Sequence, residues 1–257
     1  MAKRKQKRAR LKRLILSAAF MALLSLCGWV GILASGHYLV SEAQLDHLQQ
    51  MALSQSSSYV RTDEMPDYVW ESFLAIEDHR FKQHGGIDWI GLVRALWVNG
   101  LEGSKAQGGS TITMQLSRNL FLTHEKELSR KIKEMIIAVR LERHLSKDQL
   151  LGLYLNHIYF GHGKYGIEAA ANFYFGKTVR ADHSEKETVT LSEAALLAAL
   201  PKAPEHYSPL KNLEQALHRR NLVLSRMVDV GFITEDTSKT AMHQAINIIA
   251  SNAPETE

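Results

Sequence analysis

Cysteine and proline are scarce in this chain, which has one cysteine and five prolines among 257 residues. A single cysteine can form no disulfide within the chain, so a disulfide-stapled scaffold is excluded. With 45% apolar residues, the chain can bury one core and carry one accessory segment. Two large domains would not fit.

Acidic residues are absent before Leu14, where eight Lys and Arg residues are concentrated. Removing those eight from the total of 31 leaves 23 cations against 27 Asp and Glu, a formal charge of −4 for the remainder. Because the basic character is confined to the N-terminus, nucleic-acid binding loses its main support.

Charged residues are also absent from residues 14–36, a run of 23. A helix of that length can cross a hydrocarbon core of about 30 Å. Since the basic block precedes it, residues 1–13 are predicted to be a cytoplasmic tail, and the chain after His37 to lie outside. A cleaved signal peptide is the alternative, but its apolar region would span only ~7–15 residues, which favours an uncleaved transmembrane anchor.

Period-two alternation is missing after this run, and apolar residues recur at spacings of three and four, so the sequence predicts a mostly α fold. Residues 37–60 are predicted to be a juxtamembrane linker, 61–235 the main domain and 236–257 a C-terminal helix and tail. Helices are expected over 67–81, 88–100, 127–145, 147–156, 166–173, 191–200, 213–230 and 235–249. Within 127–145, the expected buried stripe is Leu128, Ile132, Met135 and Val139.

A carboxylate pair near two ring side chains is the first candidate for chemistry. In one continuous helix Glu77, Phe81 and His84 would share a face, with Asp78 beside them. A partly dehydrated carboxylate against an aromatic wall has a raised proton affinity, which suits it to take a proton from a hydroxyl group. A surface acidic pair with a capping histidine explains the same spacing.

Paired glycines and hydroxyls form the second candidate, GGSTITMQL at residues 108–116. Backbone N–H groups and the hydroxyls of Ser110, Thr111 and Thr113 would lie where a helix begins, a natural place for an anionic group. A mobile loop over 102–110 with an ordinary Ser/Thr cap explains the segment equally well.

Five cations within 16 residues form the third candidate: Arg118, Lys126, Arg130, Lys131 and Lys133. Lys126, Arg130 and Glu134 stand four apart on one helical face. A solvated i,i+4 pair, worth about 0.2–0.5 kcal/mol, is the plain interpretation. The concentration of charge instead suits a pyrophosphate leaving group, whose developing negative charge fixed cations stabilise.

A strongly apolar segment covers residues 88–101 and includes Trp89 and Trp97. It could be an ordinary core helix. It could also dip an apolar face into lipid, with its tryptophans at the membrane interface.

Taken in order, these pieces resemble the family-51 glycosyltransferases, the peptidoglycan glycosyltransferase domain of bifunctional penicillin-binding proteins and of monofunctional enzymes. Five blocks carry the resemblance, which spans residues 61–235: EDHRFKQHGGID (77–88), GGSTITMQ (108–115), RKIKE (130–134), KDQLLGLYLN (147–156) and RRNLVLSRM (219–227). The run before the last block, LSEAALLAALPKAP, also looks like the family's connecting region. The family resemblance favours a lipid-contacting role for the apolar segment 88–101.

The resemblance implies a lysozyme-like helical fold with a small membrane-facing lobe, and lipid II as the substrate. Glu77 would be the general base that deprotonates the acceptor C4 hydroxyl, which attacks C1 of the donor with inversion as polyprenyl pyrophosphate leaves. Glu134 would be the second essential glutamate, beside the leaving group. The implied substrate contacts are Asp78, Phe81 and His84 near the base, Ser110, Thr111 and Gln115 in the donor site, and the five cations of the third candidate at the pyrophosphate.

Departures from the family pattern are few. Met114 stands where many members have glutamine, Arg118 where many have lysine, and Lys126 where many have arginine. The full set of penicillin-reactive motifs is missing: SPLK at 208–211 fits S-x-x-K by chance, and no K-T-G triad exists. The chain is therefore expected to be a monofunctional transferase or a truncation of a bifunctional one.

Two other functions fit less well. A lytic transglycosylase or lysozyme-type enzyme also depends on one glutamate, but its neutral leaving group needs no cationic clamp. An inactive cell-wall scaffold would not need both glutamates. No cofactor is expected to be obligatory, although Mg²⁺ or Mn²⁺ could assist at the pyrophosphate. The expected partners are lipid II, the growing glycan strand, the bacterial inner membrane, and transpeptidases or other cell-wall synthesis proteins.

Overall fold

The computed structural model describes residues 36–54, 58–102, 108–122 and 127–249, with a few positions between 19 and 31. Its helices are α1 Glu42–Ala52, α2 Asp67–Glu77, α3 Trp89–Glu102, α4 Ile112–Phe121, α5 Glu127–His144, α6 Lys147–His157, α7 Ile167–Phe175, α8 Leu191–Ala199, α9 Leu213–Asp229 and α10 Glu235–His243. The prediction of a mostly α fold is confirmed.

Helix starts follow local capping chemistry. Ser146 caps α6 as predicted, because its hydroxyl accepts a hydrogen bond from the N–H of Gln149 and the Gln149 side chain bonds back to the cap. The last helix ends at His243, six residues before the predicted end. Residues 245–249 form neither helix nor strand, and Ile249 donates its N–H to the carbonyl of Tyr174 in α7 over 2.9 Å.

Two groups of helices build the core. In the first, α8 packs against α2 and α9, and α9 also contacts α10. In the second, α4 packs against α5 and α6, and α6 contacts α1. Contacts of α7 with both α6 and α8 join the two groups. The end of α2 thereby comes to face the start of α4.

The predicted buried stripe of α5 is wrong, because Leu128 is 79% and Ile132 is 52% exposed. The face turned to the core instead carries Glu134, Ile137, Ala138 and Leu141, all nearly inaccessible. The small and polar residues on this face allow the backbone at Gly86 to approach α5 closely. A Cβ added to Gly86, whose φ is +92°, would lie 2.8 Å from the Ala138 carbonyl carbon. The apolar residues of the opposite face therefore point outward.

Exposed apolar side chains also mark α3. Trp89, Ile90, Val93 and Trp97 are between 52% and 70% exposed, whereas Ala95 is buried. An ordinary core helix would bury these large side chains. The core-helix interpretation of this segment therefore fails.

The predicted basic tail and C-terminal tail, and most of the predicted anchor, lie outside the described residues. In the anchor run, Phe20, Leu23 and Val30 are each more than half exposed. Over the part of the chain that the structure describes, no helix is long and apolar enough to cross a membrane. The stretch predicted as a linker contains α1, whose Leu45 and Leu48 lie in the core.

Candidate active site

A cleft opens between the end of α2 and the loop that leads into α4. Its lining comes from three parts of the chain: Glu77, Asp78 and His79; Asp88, Gly91 and Arg94; and residues 108–111. The cleft therefore joins the first two candidate segments, which are far apart in the sequence.

Glu77 is the last residue of α2, and its carboxylate accepts a 2.8 Å hydrogen bond from Nε2 of Gln115. The hydroxyl of Tyr154 lies 3.4 Å from the amide oxygen of Gln115. Burial raises the pKa of Glu77, whereas the Gln115 hydrogen bond and the charges of Arg219 and Lys202 lower it. A raised proton affinity, balanced by partners that favour the ionised form, suits a general base.

The prediction that Glu77, Phe81 and His84 share one helical face is wrong, because α2 ends before Asp78. The Asp78 carboxylate accepts a 3.0 Å hydrogen bond from the N–H of Ile112 and lies 3.0 Å from Nε2 of His84. Asp78 thus ties the end of α2 to the first turn of α4, where a negative charge is favourable. Phe81 is 1% exposed and packs in the core, so it is closed to a substrate.

The hydroxyls at the start of α4 have different surroundings. Thr111 is the N-cap: it accepts a hydrogen bond from the N–H of Met114 and donates one of 2.6 Å to the carbonyl of Gly86. Thr111 is only 2% exposed, so its hydroxyl is occupied by hydrogen bonds within the fold. Ser110 lines the cleft and accepts a hydrogen bond from Nζ of Lys131. Met114, a departure from the family pattern, is buried.

Lys131 connects the third candidate to the same cleft. Its Nζ lies 2.9 Å from one carboxylate oxygen of Glu134, while Nε of Arg130 lies 3.5 Å from the other. Glu134 is 1% exposed, whereas the side chains of Lys131 and Arg130 are about a third exposed. The plain interpretation of a solvated ion pair therefore fails: a buried carboxylate holds two cations whose outer surfaces stay open.

The other predicted cations lie elsewhere or outside the description. Arg118 is half-buried in the last turn of α4, and its charge acts on the Tyr154 phenol, whose pKa burial raises. Lys133 is half-buried on α5. Lys126 lies outside the described residues. The structure thus gathers Lys131 and Arg130 at Glu134, whereas the charge of Arg118 acts on Tyr154.

A polar network that the sequence did not reveal joins several of the elements around the cleft. Thr113 donates a 2.6 Å hydrogen bond to Glu142, and Lys147 donates 2.7 Å bonds to Glu142 and to the carbonyl of His84. The network links α4, α5 and α6 to the segment after α2. Thr113 therefore acts within the fold and does not face the cleft lining.

Lys202 and Arg219 are the charged residues near Glu77 that the sequence analysis left without a role. They lie in LPKAP and RRNLVLSRM, two runs already quoted for the family resemblance. Arg219 lies over the Tyr207 ring at 5.5 Å, and its buried Nε has no hydrogen-bond partner among the described residues. The presence of a lysine and an arginine in these two runs was the signal by which the sequence could have identified both residues.

Metal ligands are not gathered at the cleft. Among the described residues, no group of three His, Cys, Asp or Glu side chains could hold a metal ion. Assistance by Mg²⁺ or Mn²⁺ stays a prediction, and substrate oxygens would have to supply part of the ligand set.

Comparison with known proteins gives consistent matches. A family model described as Transglycosylase matches residues 44–228. Penicillin-binding protein 1F of Bacillus subtilis is 41% identical, over 94% of this chain and 35% of that protein. Penicillin-binding proteins 1A of Aquifex aeolicus and Escherichia coli are 48% and 47% identical, over 77% and 73% of this chain but 26% and 21% of theirs.

A crystal structure of penicillin-binding protein 1A from Haemophilus influenzae aligns at a TM-score of 0.43 and 27% identity, over 74% of this chain and 18% of that chain. The present chain spans about a third or less of the length of the curated relatives it matches.

Proposed function

Since the chain belongs to the transglycosylase family, the family-51 glycosyltransferase domain of class A penicillin-binding proteins, we propose that it is a peptidoglycan glycosyltransferase. In this proposal it polymerises lipid II into β-1,4-linked glycan strands and releases polyprenyl pyrophosphate. It works in the bacterial inner membrane, anchored by residues 14–36, with the catalytic domain on the outer side.

One observation carries the proposal: the cleft lined by the half-buried Glu77 carboxylate is bonded through Ser110 to Lys131, one of two cations held by Glu134. Glu77 and Ser110 both line it, and Ser110 bonds to Lys131, which bonds to Glu134. A base on one side and positive charge on the other are what an attack by a hydroxyl and departure of an anion require.

In the attacking step, Glu77 takes the proton from the C4 hydroxyl of the acceptor sugar. The oxygen then forms a bond to C1 of the donor as the C1–O bond to the pyrophosphate breaks, so the configuration at C1 inverts. Gln115 orients the Glu77 carboxylate through its 2.8 Å hydrogen bond. Lys202 and Arg219 favour the ionised carboxylate that accepts the proton.

In the departing step, Lys131 and Arg130 stabilise the negative charge that develops on the pyrophosphate oxygens. Glu134 acts as a positioning residue, because its buried carboxylate already engages both cations. Fixed cations need no reorganisation at the moment of bond cleavage, which is why a buried partner for them is useful.

Lipid contact is supported by the exposed apolar side chains of α3 and α5. Trp97 and Ile90 are each 70% exposed, and Leu128 is 79% exposed. Such side chains would enter the boundary between headgroups and acyl chains, beside the polyprenyl chain of the substrate. Contacts with transpeptidases or other cell-wall synthesis proteins belong to the same proposal.

A lytic enzyme is the competing function, and a single assay separates the two. Detergent-solubilised protein is incubated with labelled lipid II, and the products are treated with or without a lysozyme. A long, lysozyme-sensitive product supports the transferase. Unchanged lipid II, together with fragments released from isolated peptidoglycan, would establish the lytic alternative instead.

A further inference from the structure

A second cleft lies where the predicted anchor meets the folded domain, and it shares no lining residue with the first. It is formed by the chain at residue 37 and the C-terminal half of α5. Four of its side chains are basic and two are aliphatic: His37, Arg140, Arg143, His144, Ile136 and Val139.

Arg140 is held in this cleft by the fold. Its Nε donates a 2.9 Å hydrogen bond to the carbonyl of Val40, and its Nη2 donates one of 2.8 Å to Glu42. Glu42 also lies 3.4 Å from His37 and 3.5 Å from His144. The Glu42 carboxylate thus balances Arg140 and contacts both histidines.

Arg143 supplies the surplus charge. Its side chain is exposed, and no ion-pair or hydrogen-bond partner is found for it within the described part of the chain. A basic residue in the last turn interacts favourably with the helix dipole, which accounts for its presence on α5. The dipole does not account for the aliphatic wall, nor for the contribution of residue 37 to the cleft.

The position of the cleft along the chain indicates its level relative to the membrane. Residue 36 ends the charge-free run, and a Cβ at Gly36 would meet Arg140 and Ile136 of α5 at 3.3 and 3.6 Å. If residues 14–36 span the membrane, this contact lies at its outer surface. The outward face of α5 then leads along Ile132, Ile136 and Val139 to Arg143, so aliphatic surface ends in a cation at headgroup level.

We propose that this cleft binds an anionic phospholipid, with the headgroup phosphate at Arg143 and Arg140 and an acyl chain along Ile136 and Val139. A lipid bound there would hold α5, which carries Lys131 and Glu134, in a fixed position against the membrane surface. The inference rests on the proposed anchoring of the chain. It does not require that the active site polymerises lipid II.

The test uses the full chain in detergent, with bound lipid counted by native mass spectrometry. Short-chain phosphatidylglycerol is compared with phosphatidylcholine of the same chain length and with inorganic phosphate. Arg143→Gln should weaken phosphatidylglycerol binding about fivefold, the change expected for one cation near an anionic lipid surface. Arg143→Glu should weaken it further, and Arg143→Lys should restore most of it.

Two control variants separate this cleft from other cations. Arg226→Gln removes an exposed arginine from the last turn of α9 and should leave binding unchanged. Lys131→Gln removes a cation of the active site and should also leave it unchanged. Equal binding of the two lipids, binding of inorganic phosphate as tight as phosphatidylglycerol, or a loss in Lys131→Gln but not in Arg143→Gln would each overturn the proposal.

Two further measurements distinguish failure of the lipid-binding proposal from failure of the proposed function. Flotation of the chain with phosphatidylcholine vesicles tests the anchor, and its failure would overturn the proposal because the cleft would lose its position at the membrane. Polymerisation of lipid II by Arg143→Gln in detergent should equal that of the parent. Selective phosphatidylglycerol binding by a chain that fails to polymerise lipid II would overturn the proposed function and leave this inference standing.

Discussion

Gln115 donates a 2.8 Å hydrogen bond to Glu77, and this contact joins the first turns of α4 to the end of α2. An amide can serve the carboxylate in two ways. It orients the oxygen that must face the acceptor, and it stabilises the ionised form that takes a proton. The contact therefore connects the fold to the proposed base step.

Replacement of Glu77 by glutamine should abolish polymerisation while the protein stays folded. The amide keeps the shape and can still accept the hydrogen bond from Gln115, but it cannot take a proton. Loss of a general base typically reduces turnover by ~10²–10⁴-fold. Turnover of lipid II and the melting temperature would be measured together.

Glu71→Gln is the matched control, because Glu71 lies on the same helix away from the cleft lining. It should retain parental turnover. Glu77→Gln activity within threefold of the parent would remove Glu77 from the base role.

Local chemistry allowed much of the helical pattern to be predicted from the sequence. Ser146 and Gln149 lie three residues apart, so the start of α6 is specified by its own residues. The break at Asp78 could not be predicted in this way, because the group that competes for its side chain is the N–H of Ile112, 34 residues away. Tertiary hydrogen bonds of this kind override local helix preference.

The orientation of α5 shows a second limit. Apolar spacing at Leu128 and Ile132 predicts a face turned from water, but it does not say whether core or lipid covers that face. The inner face carries Glu134, whose burial depends on Lys131 and Arg130. Among the candidate residues, spacing therefore placed Arg130 and Glu134 together, as the structure has them, but it could not tell which hydroxyls face the cleft.

Removal of the charge at Arg219 should move the pH dependence of the reaction. Arg219 lowers the pKa of Glu77, so Arg219→Gln should raise that pKa further. Because the ionised carboxylate is the base, the acid limb of the kcat/KM profile should shift to higher pH in the variant. At pH values well above that limb, kcat/KM of the variant should equal that of the parent.

Arg219→Lys keeps the charge and should restore the parental limb. Arg226→Gln, on an exposed side chain of the same helix, should not move it. A loss of activity that is equal at every pH would show that Arg219 acts through packing against Tyr207 instead.

Polar substitutions on α3 should impair activity in membranes more than in detergent. Ile90 and Val93 are 70% and 64% exposed, so replacing both by serine should change the melting temperature little. Loss of their burial in lipid should lower the rate on lipid II in vesicles by about tenfold. Leu213→Ser, at an exposed leucine on α9, is the control. Equal losses in vesicles and in detergent would contradict lipid contact by α3.

The last prediction separates charge stabilisation of the leaving group from a purely structural ion pair. Lys131→Met removes the cation that joins Ser110 and Glu134, and it keeps most of the apolar stem. Turnover should fall on the order of 10²-fold, as for loss of a preorganised transition-state donor. Stability should fall as well, by about 1–3 kcal/mol, because the buried Glu134 carboxylate is left with Arg130 alone.

The double variant Lys131→Met with Glu134→Gln distinguishes the two losses. It removes the uncompensated buried charge, so the free energy of unfolding should recover while turnover stays low. Lys177→Met is a matched control: Lys177 lies 3.2 Å from Glu193, which is 5% exposed, and neither residue lines the cleft. It should lose comparable stability but keep its turnover. If the double variant regains turnover along with its stability, the cation has no role in the reaction and the pair serves the fold alone.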